Sequence, residues 1–205
     1  MERLVCYFGI VSMKYILASA SPRRKQLLAE LIKEFEIIPS QAEEKVAGNP
    51  TPKALVAQLA AMKAEEVVKR PENEGKVVIG SDTVVAFGKT VLGKPKDEED
   101  AFRMLKTLSG KKHAVYTGVS LQMVKDGKYV CYTKVDKTWV YFNDLSDEWI
   151  WGYVKGGSPM DKAGAYGIQD GGLVKGIKGS YTNVVGFPLE LVEKMIRKVE
   201  KNWND

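Results

Sequence analysis

The chain is 205 residues long, 44% hydrophobic and 28% charged, with 31 basic against 26 acidic residues and a formal charge of +5. That length supports a substantial core, and no apolar run reaches the roughly 20 residues that a bilayer demands. Two cysteines and one histidine exclude a zinc site of clustered Cys and His ligands, while the modest positive balance suits an anionic partner as well as a plain solvated surface.

The opening "MERLVCYFGIVSMKYILASA" imitates a secretory leader, with Arg3, a short apolar run and an Ala18-x-Ala20 ending. Lys14 interrupts the apolar region, Cys6 and Cys131 offer little disulfide chemistry, and cleavage would remove the first strand. We expect a cytoplasmic protein in which residues 1–12 form an N-terminal extension, Met13 is an alternative start, and 13–205 form one domain.

"KYILAS" predicts a strand, and Ser21 with Pro22 predicts a helix cap followed by proline at the first helical position. Leu27, Leu28, Leu31 and Ile32 give that helix its apolar stripe, and "FEIIPS" predicts a second strand. Thr51-Pro52 repeats the cap signal for a helix running to about Lys69, with Leu55, Val56, Leu59 and Met62 inward. "KVVIGSDTVVAF" is a β-rich run with Asp82 near its middle. Asp97 caps a helix carrying Ala101, Phe102, Leu105 and Leu108 and closed by Gly110. "HAVYTGVSLQMV" and "KYVCYTKVDKTWVYF" read as strands joined through Asp126-Gly127. Ser146 opens a helix ending near Gly156, residues 156–180 read as an ordered loop with little regular structure, and Pro188 opens the last helix. Strands and helices alternate until a hairpin intrudes, which predicts an α/β fold on a mixed sheet flanked by helices and elongated into two lobes.

Four features bear on chemistry. In "LASASPRR", a strand delivers Ser19 and Ser21 to a helix start whose free N–H groups and positive dipole end favour an anion. Arg23 and Arg24 in the first turn fit a phosphate there, or arginines paired with nearby glutamates; spacing leaves both open. Asp82 lies between "VVIG" and "TVVAF", where a carboxylate needs a partner or a metal, unless it serves only its own loop through Ser81 or Thr83. Glu43 and Glu44 offer a second acidic arm or a solvated loop. "GKTVLGKP" satisfies G-x-x-x-x-G-K, but Pro95 stands where a P-loop needs Ser or Thr and no helix begins there. Lys94 can still neutralise phosphate from a loop, and Lys63 interrupts an apolar helix face. "DKAGAYGIQDGG" sets Asp161, Lys162, Tyr166 and Gln169 among small residues, a loop able to approach a ligand, with a glutamine amide that can read a base edge. His113, the one histidine, reads as structural at a strand start, so any metal is a hard cation on carboxylates, magnesium or manganese.

Together "LASASPRRKQLL", "GSDTVV", "LGKPKDEEDAFRML", "LSGKKHAVYTGV", "DKAGAYGIQ" and "GSYTNVVGFPL" resemble the Maf family of nucleotide pyrophosphatases, from about Lys14 to Lys194. The resemblance implies an α/β fold with a deep cleft between lobes, a homodimer, and divalent-metal-assisted hydrolysis of nucleoside triphosphates to the monophosphate and pyrophosphate. It places the proton acceptor on Asp82 and substrate choice on Arg23, Thr83 and Gln169. Ser19, Arg24, Lys63 and Lys94 match polar and cationic active-site positions. The "KAGAYGIQ" form is similar to the branch that prefers dTTP and UTP; the alternatives are 7-methyl-GTP hydrolysis and a non-catalytic nucleotide-binding regulator of septum formation. Gln41 replaces an acid common in the family, Glu44 keeps the last carboxylate and with Asp82 is the metal candidate, and Ser158 stands where glutamate is common. No long basic stripe favours nucleic acid.

Overall fold

The computed structural model describes residues 13–204, so the expected extension 1–12, with Cys6, lies outside the described residues. Its elements run β1 (Lys14–Leu17), α1 (Pro22–Leu31), β2 (Glu36–Ile37), α2 (Pro52–Val68), β3 (Lys76–Phe87), β4 (Thr90–Leu92), α3 (Glu98–Leu108), β5 (Lys112–Lys125), β6 (Lys128–Phe142), α4 (Asp147–Lys155), β7 (Val174–Lys178), α5 (Tyr181–Val185) and α6 (Leu189–Asn204). Five helices start where a side-chain oxygen accepts an otherwise orphaned amide. Ser21 takes Arg24 N–H, Thr51 takes Ala54 N–H, Asp97 takes Asp100 N–H, Ser146 takes Trp149 N–H and Ser180 takes Asn183 N–H.

The strands form one mixed sheet in the order β2-β1-β3-β5-β6-β7, with β4 on β3. β1 pairs in parallel with β2 and β3, and the remaining ladders are antiparallel. This is the α/β fold with a mixed sheet expected from the sequence. Two elements within 156–180 and its surroundings were not legible there: "VKGIK" forms β7, whose short run with a central glycine carries little strand signal, and "YTNVV" forms α5, a little over one turn long.

Two of three apolar clusters lie at different places on the sheet. One gathers Leu17, Leu28, Ile79, Leu121, Phe187 and Val192; the other gathers Leu105, Leu108, Val115, Phe142, Ile150 and Tyr166. Of the stripe expected on α1, Leu28 is fully buried while Leu27, Leu31 and Ile32 pack half-buried against the first core. Helix α2 lies against the opposite face of the sheet through Val56, Leu59, Ala60, Ala64, Val67 and Val68, with Leu55 and Met62 only half-buried. The approach is close because two strand glycines permit it. A Cβ on Gly80 would lie 2.4 Å from Ala60 O, and one on Gly118 would lie 2.1 Å from Val56 O.

One irregularity of this sheet positions the site. β5 follows one edge of β3 from Val78 to Ala86. Along the other edge, β1 pairs only with Lys76–Ile79 and β4 only with Val85–Phe87. Residues 80–84 are left with an open edge in the middle of the sheet, and successive side chains there point to opposite faces.

Candidate active site

The open edge of β3 is where a cavity of about 490 Å³ forms. Asp82 faces α2 from this edge and is 8% exposed. Its Oδ1 accepts from Lys63 Nζ at 2.6 Å, and the same ammonium lies 2.8 Å from Glu44 Oε1. Lys63 reaches this point because it replaces an apolar residue on the helix face that packs over Gly80 and Gly118. One cation thus bridges two carboxylates, with Glu44 on the solvent side at 55% side-chain exposure.

Thr83 faces the other side. Arg24, pointing back from the first turn of α1, donates from Nε to Gly186 O at 3.0 Å, from Nη1 to Ser81 O at 2.8 Å and Ser19 Oγ at 3.2 Å, and from Nη2 to Thr83 Oγ1 at 3.3 Å. Burial pulls the Arg24 pKa below the ordinary arginine value, and the charge of Asp82 opposes that pull. A guanidinium keeps its proton under such conditions, so Arg24 is a fixed positive charge at the floor of the site. Ser19 also accepts Ser21 N–H at 3.2 Å. It is a support for Arg24 and the loop, and it does not line the cavity.

Around the mouth, Arg23 is partly exposed and pairs with Asp161 at 3.0 Å. Lys162 donates to Asp161 Oδ1 at 2.7 Å and to Ser158 O at 2.5 Å. Lys94, on the loop after β4, and Gln169, in a short turn at Ile168–Asp170, are exposed and line the cavity with no hydrogen bond to a described residue. The loop carrying Gln169 is tightly folded. Gly164 has φ +70° with Val85 Cγ2 2.7 Å from where its Cβ would be, and Ala165 adopts φ 62° while fully buried. A left-handed non-glycine residue of this kind is held by its surroundings and clusters at ligand sites. Asp170 anchors the same loop by accepting from Tyr153 Oη at 2.5 Å and Ser158 Oγ at 2.6 Å.

The cavity therefore gathers Arg23, Arg24, Glu44, Lys63, Asp82, Thr83, Lys94 and Gln169 from across the chain. Sequence reasoning missed the polar layer beneath it: Thr117, Asn183 and the carbonyl of Gly186. Only their total burial marks them, and nothing in "VYTGV" or "YTNVV" announces that. His113 is 1% exposed in the second core, shares a hydrogen bond of 2.8 Å with Tyr166 Oη, and stands edge-on to Phe142. Burial draws its pKa down to about 4, so it is neutral near pH 7 and structural.

Chemically the arrangement offers one nearly buried carboxylate, Asp82, the more exposed carboxylates Glu44 and Asp161, and the five cations Arg23, Arg24, Lys63, Lys94 and Lys162, a receptor for a polyanion with a base at its side. Among the described residues no cluster of three or more His, Cys, Asp or Glu could enclose a metal. Asp82 and Glu44 do converge on one point, Lys63 Nζ, and two carboxylates are the donor set for a magnesium-type ion that keeps waters and shares a phosphate ligand. The Lys63 ammonium fills that point, so a hard cation brought in with a phosphate would use the carboxylate oxygens that Lys63 leaves free, or displace the ammonium.

A family model described as Maf-like protein matches residues 14–199. Relatives named dTTP/UTP pyrophosphatase include one from Thermococcus gammatolerans, 49% identical over 88% of this chain and 94% of its own length. Another, from Thermococcus kodakarensis, is 51% identical over the same shares, and one from Agathobacter rectalis is 45% identical over 90% of this chain and 96% of its own length. Among solved structures, the Staphylococcus aureus Ham1 protein superposes with a TM-score of 0.50 at 16% identity, covering 90% of this chain and 98% of that one; the likeness is one of fold.

Proposed function

The chain belongs to the Maf family, and on that premise we propose that the cavity on β3 hydrolyses nucleoside triphosphates, dTTP and UTP foremost, to the monophosphate and pyrophosphate. The observation that carries the reading is Asp82: a nearly buried carboxylate, tied to Lys63, at the open edge of a strand and facing a cavity rimmed by Arg23, Lys94 and Lys162.

Lys63 engages only Oδ1 of Asp82, so Oδ2 is available to take a proton from water as that water attacks. The water oxygen bonds to the α-phosphorus as the α–β phosphoanhydride bond breaks, the electron pair of that bond leaves with the bridging oxygen of the pyrophosphate, and the water proton passes to Asp82. Arg23 and Lys94 meet the phosphates, because their charges are accessible. The Arg23–Asp161 pair is exposed, and exposed pairs contribute only about 0–1 kcal/mol, so a phosphate displaces Asp161 easily. Arg24 acts differently. Its donors are committed to the protein, and its charge stabilises the phosphates as a fixed, preorganised field. A magnesium or manganese ion would be held by Glu44, joined by Asp82 where Asp82 serves as a ligand instead of as the base, and would supply further neutralisation of phosphate charge. Gln169 lines the same cavity from a short exposed turn, and its amide is the group that would pair with the uracil or thymine edge.

A single panel tests this. Purified protein with magnesium or manganese is given dTTP, UTP, CTP, GTP and 7-methyl-GTP, and pyrophosphate is measured. We expect release from dTTP and UTP well above the rest. Cleavage confined to 7-methyl-GTP would move the base assignment, and binding without pyrophosphate release would make the protein a nucleotide-binding regulator.

A further inference from the structure

Beneath Thr83 lies a hydrogen-bond chain whose direction is fixed by its far end. Thr117 is fully buried, and its hydroxyl donates to Asn183 O at 2.9 Å. A carbonyl only accepts, so the one proton of Thr117 is committed to it. Thr83 Oγ1 lies 3.0 Å from Thr117 Oγ1, and its own proton therefore fills that contact. Reversing the pair would leave Thr117 Oγ1 and Asn183 O 2.9 Å apart with no proton between them. The other destination for the Thr83 proton, Gly186 O, is 3.5 Å away and already accepts from Arg24 Nε at 3.0 Å and Ser81 Oγ at 3.3 Å. Both of its lone pairs are taken.

The far end is itself held. Asn183 is fully buried, and its Nδ2 donates to Val115 O at 3.1 Å and Thr138 Oγ1 at 2.9 Å. Its carbonyl also accepts Gly186 N–H at 3.1 Å. At the near end, Arg24 Nη2 donates into Thr83. Every bond runs one way, from Arg24 through Thr83 and Thr117 to the backbone of α5. Toward the cavity Thr83 presents one lone pair and no proton.

We infer that Thr117 is a positioning residue that makes Thr83 a hydrogen-bond acceptor only, so that among pyrimidines the site selects the base bearing a ring N3–H. A phosphate oxygen brings no proton to such an acceptor. Uracil and thymine bring N3–H, whereas cytosine offers a bare N3. This rests on the nucleotide reading of the cavity and adds to it a polarity set three bonds away from the ligand.

The test compares the isosteric Thr117→Val with Thr117→Ser in the full chain, using UTP and CTP and reading kcat and KM separately. In Thr117→Val the Thr83 proton is released and the hydroxyl turns toward the cavity as a donor. The UTP/CTP ratio of kcat/KM falls about tenfold, through KM, as expected for one hydrogen bond of the usual net strength. Thr117→Ser keeps the proton and restores the ratio. Melting temperatures of both variants check that the fold persists, and should Thr117→Val fail to fold, Thr83→Val, which removes the acceptor itself, must lower the same ratio. An unchanged ratio in a folded Thr117→Val variant overturns the inference. So does an equal fall in kcat for both nucleotides, which would mean that Thr83 holds water instead of a base. Wild-type protein that cleaves no triphosphate would sink the nucleotide reading itself, a separate result.

Discussion

The two faces of β3 at its open edge are built on opposite plans. On the α2 face, Asp82, Lys63 and Glu44 form a chain of charges with one solvent-exposed end, whose pairing is open to an entering cation or phosphate. On the other face, Arg24, Thr83, Thr117 and Asn183 are joined by bonds that leave almost no donor unspent. A group that must take up a proton or meet a metal needs loosely held partners. A group that must tell one base from another needs partners that cannot turn. Under the proposed function, adjacent residues of one strand would meet both demands because the strand pleat sends them to opposite sides.

The largest effect should come from the first face. Asp82→Asn keeps the shape of the carboxyl and removes its basicity, and turnover should fall about 10²–10⁴-fold, the usual worth of a general base. Circular dichroism and melting temperature should stay near wild type. Near wild-type turnover would break the comparison by leaving both faces to recognition.

Next in size is a condition on every assay. His113 is held neutral by burial, so its pKa of about 4 lies below the ordinary 6.5. The unfolded chain binds the proton first, and stability present above pH 6.5 is lost as pH falls toward 4. The loss should approach about 3 kcal/mol, since each pKa unit corresponds to about 1.4 kcal/mol. Urea unfolding between pH 7 and pH 4 measures it, and His113→Phe should flatten the profile over that window. The two faces are best compared above pH 7.

Glycines sharpen the contrast. Gly118→Ala pushes a Cβ into Val56 O of α2 and should cost about 1–3 kcal/mol, as overpacking does. Because α2 carries Lys63, turnover should drop more than base preference. Gly186→Ala has φ +112° and a Cβ 3.3 Å from Thr83 Oγ1, so it should disturb preference more than turnover. Equal effects of the two substitutions on both readouts would argue against a division of labour. The smallest effect belongs to Gln169→Ala, which should flatten the preference for UTP over purine triphosphates about tenfold or less, as the loss of one or two exposed hydrogen bonds allows.

What could be read from the sequence is what is local. Ser21 with Pro22, Thr51 with Pro52 and Asp97 announce their helices because a cap acts within three residues. Asp82 stood out because a carboxylate in a valine-rich run requires a reason. The failure of "GKTVLGKP" as a P-loop was equally local: Pro95 follows Lys94, β4 stands where the phosphate loop should be, and no helix begins until Glu98. The partners that fix Arg24 were beyond reach, since Ser81, Thr83 and Gly186 lie 57, 59 and 162 residues away in sequence. Thr117 reads as an ordinary strand threonine, and Asn183 falls in a stretch with no element signal, until the fold buries them together. The strand β7 was invisible because its lysines and glycine carry no apolar alternation, and its pairing with β6 alone defines it.

The most direct test of the division between the two faces is the UTP/CTP ratio of kcat/KM in Asp82→Asn, measured beside wild type at pH 7.5. We predict a ratio within about twofold of wild type while both rates fall by the full factor expected for a lost base. A ratio that collapses together with the rates would contradict the account, because the face carrying Asp82 would then be choosing the base as well.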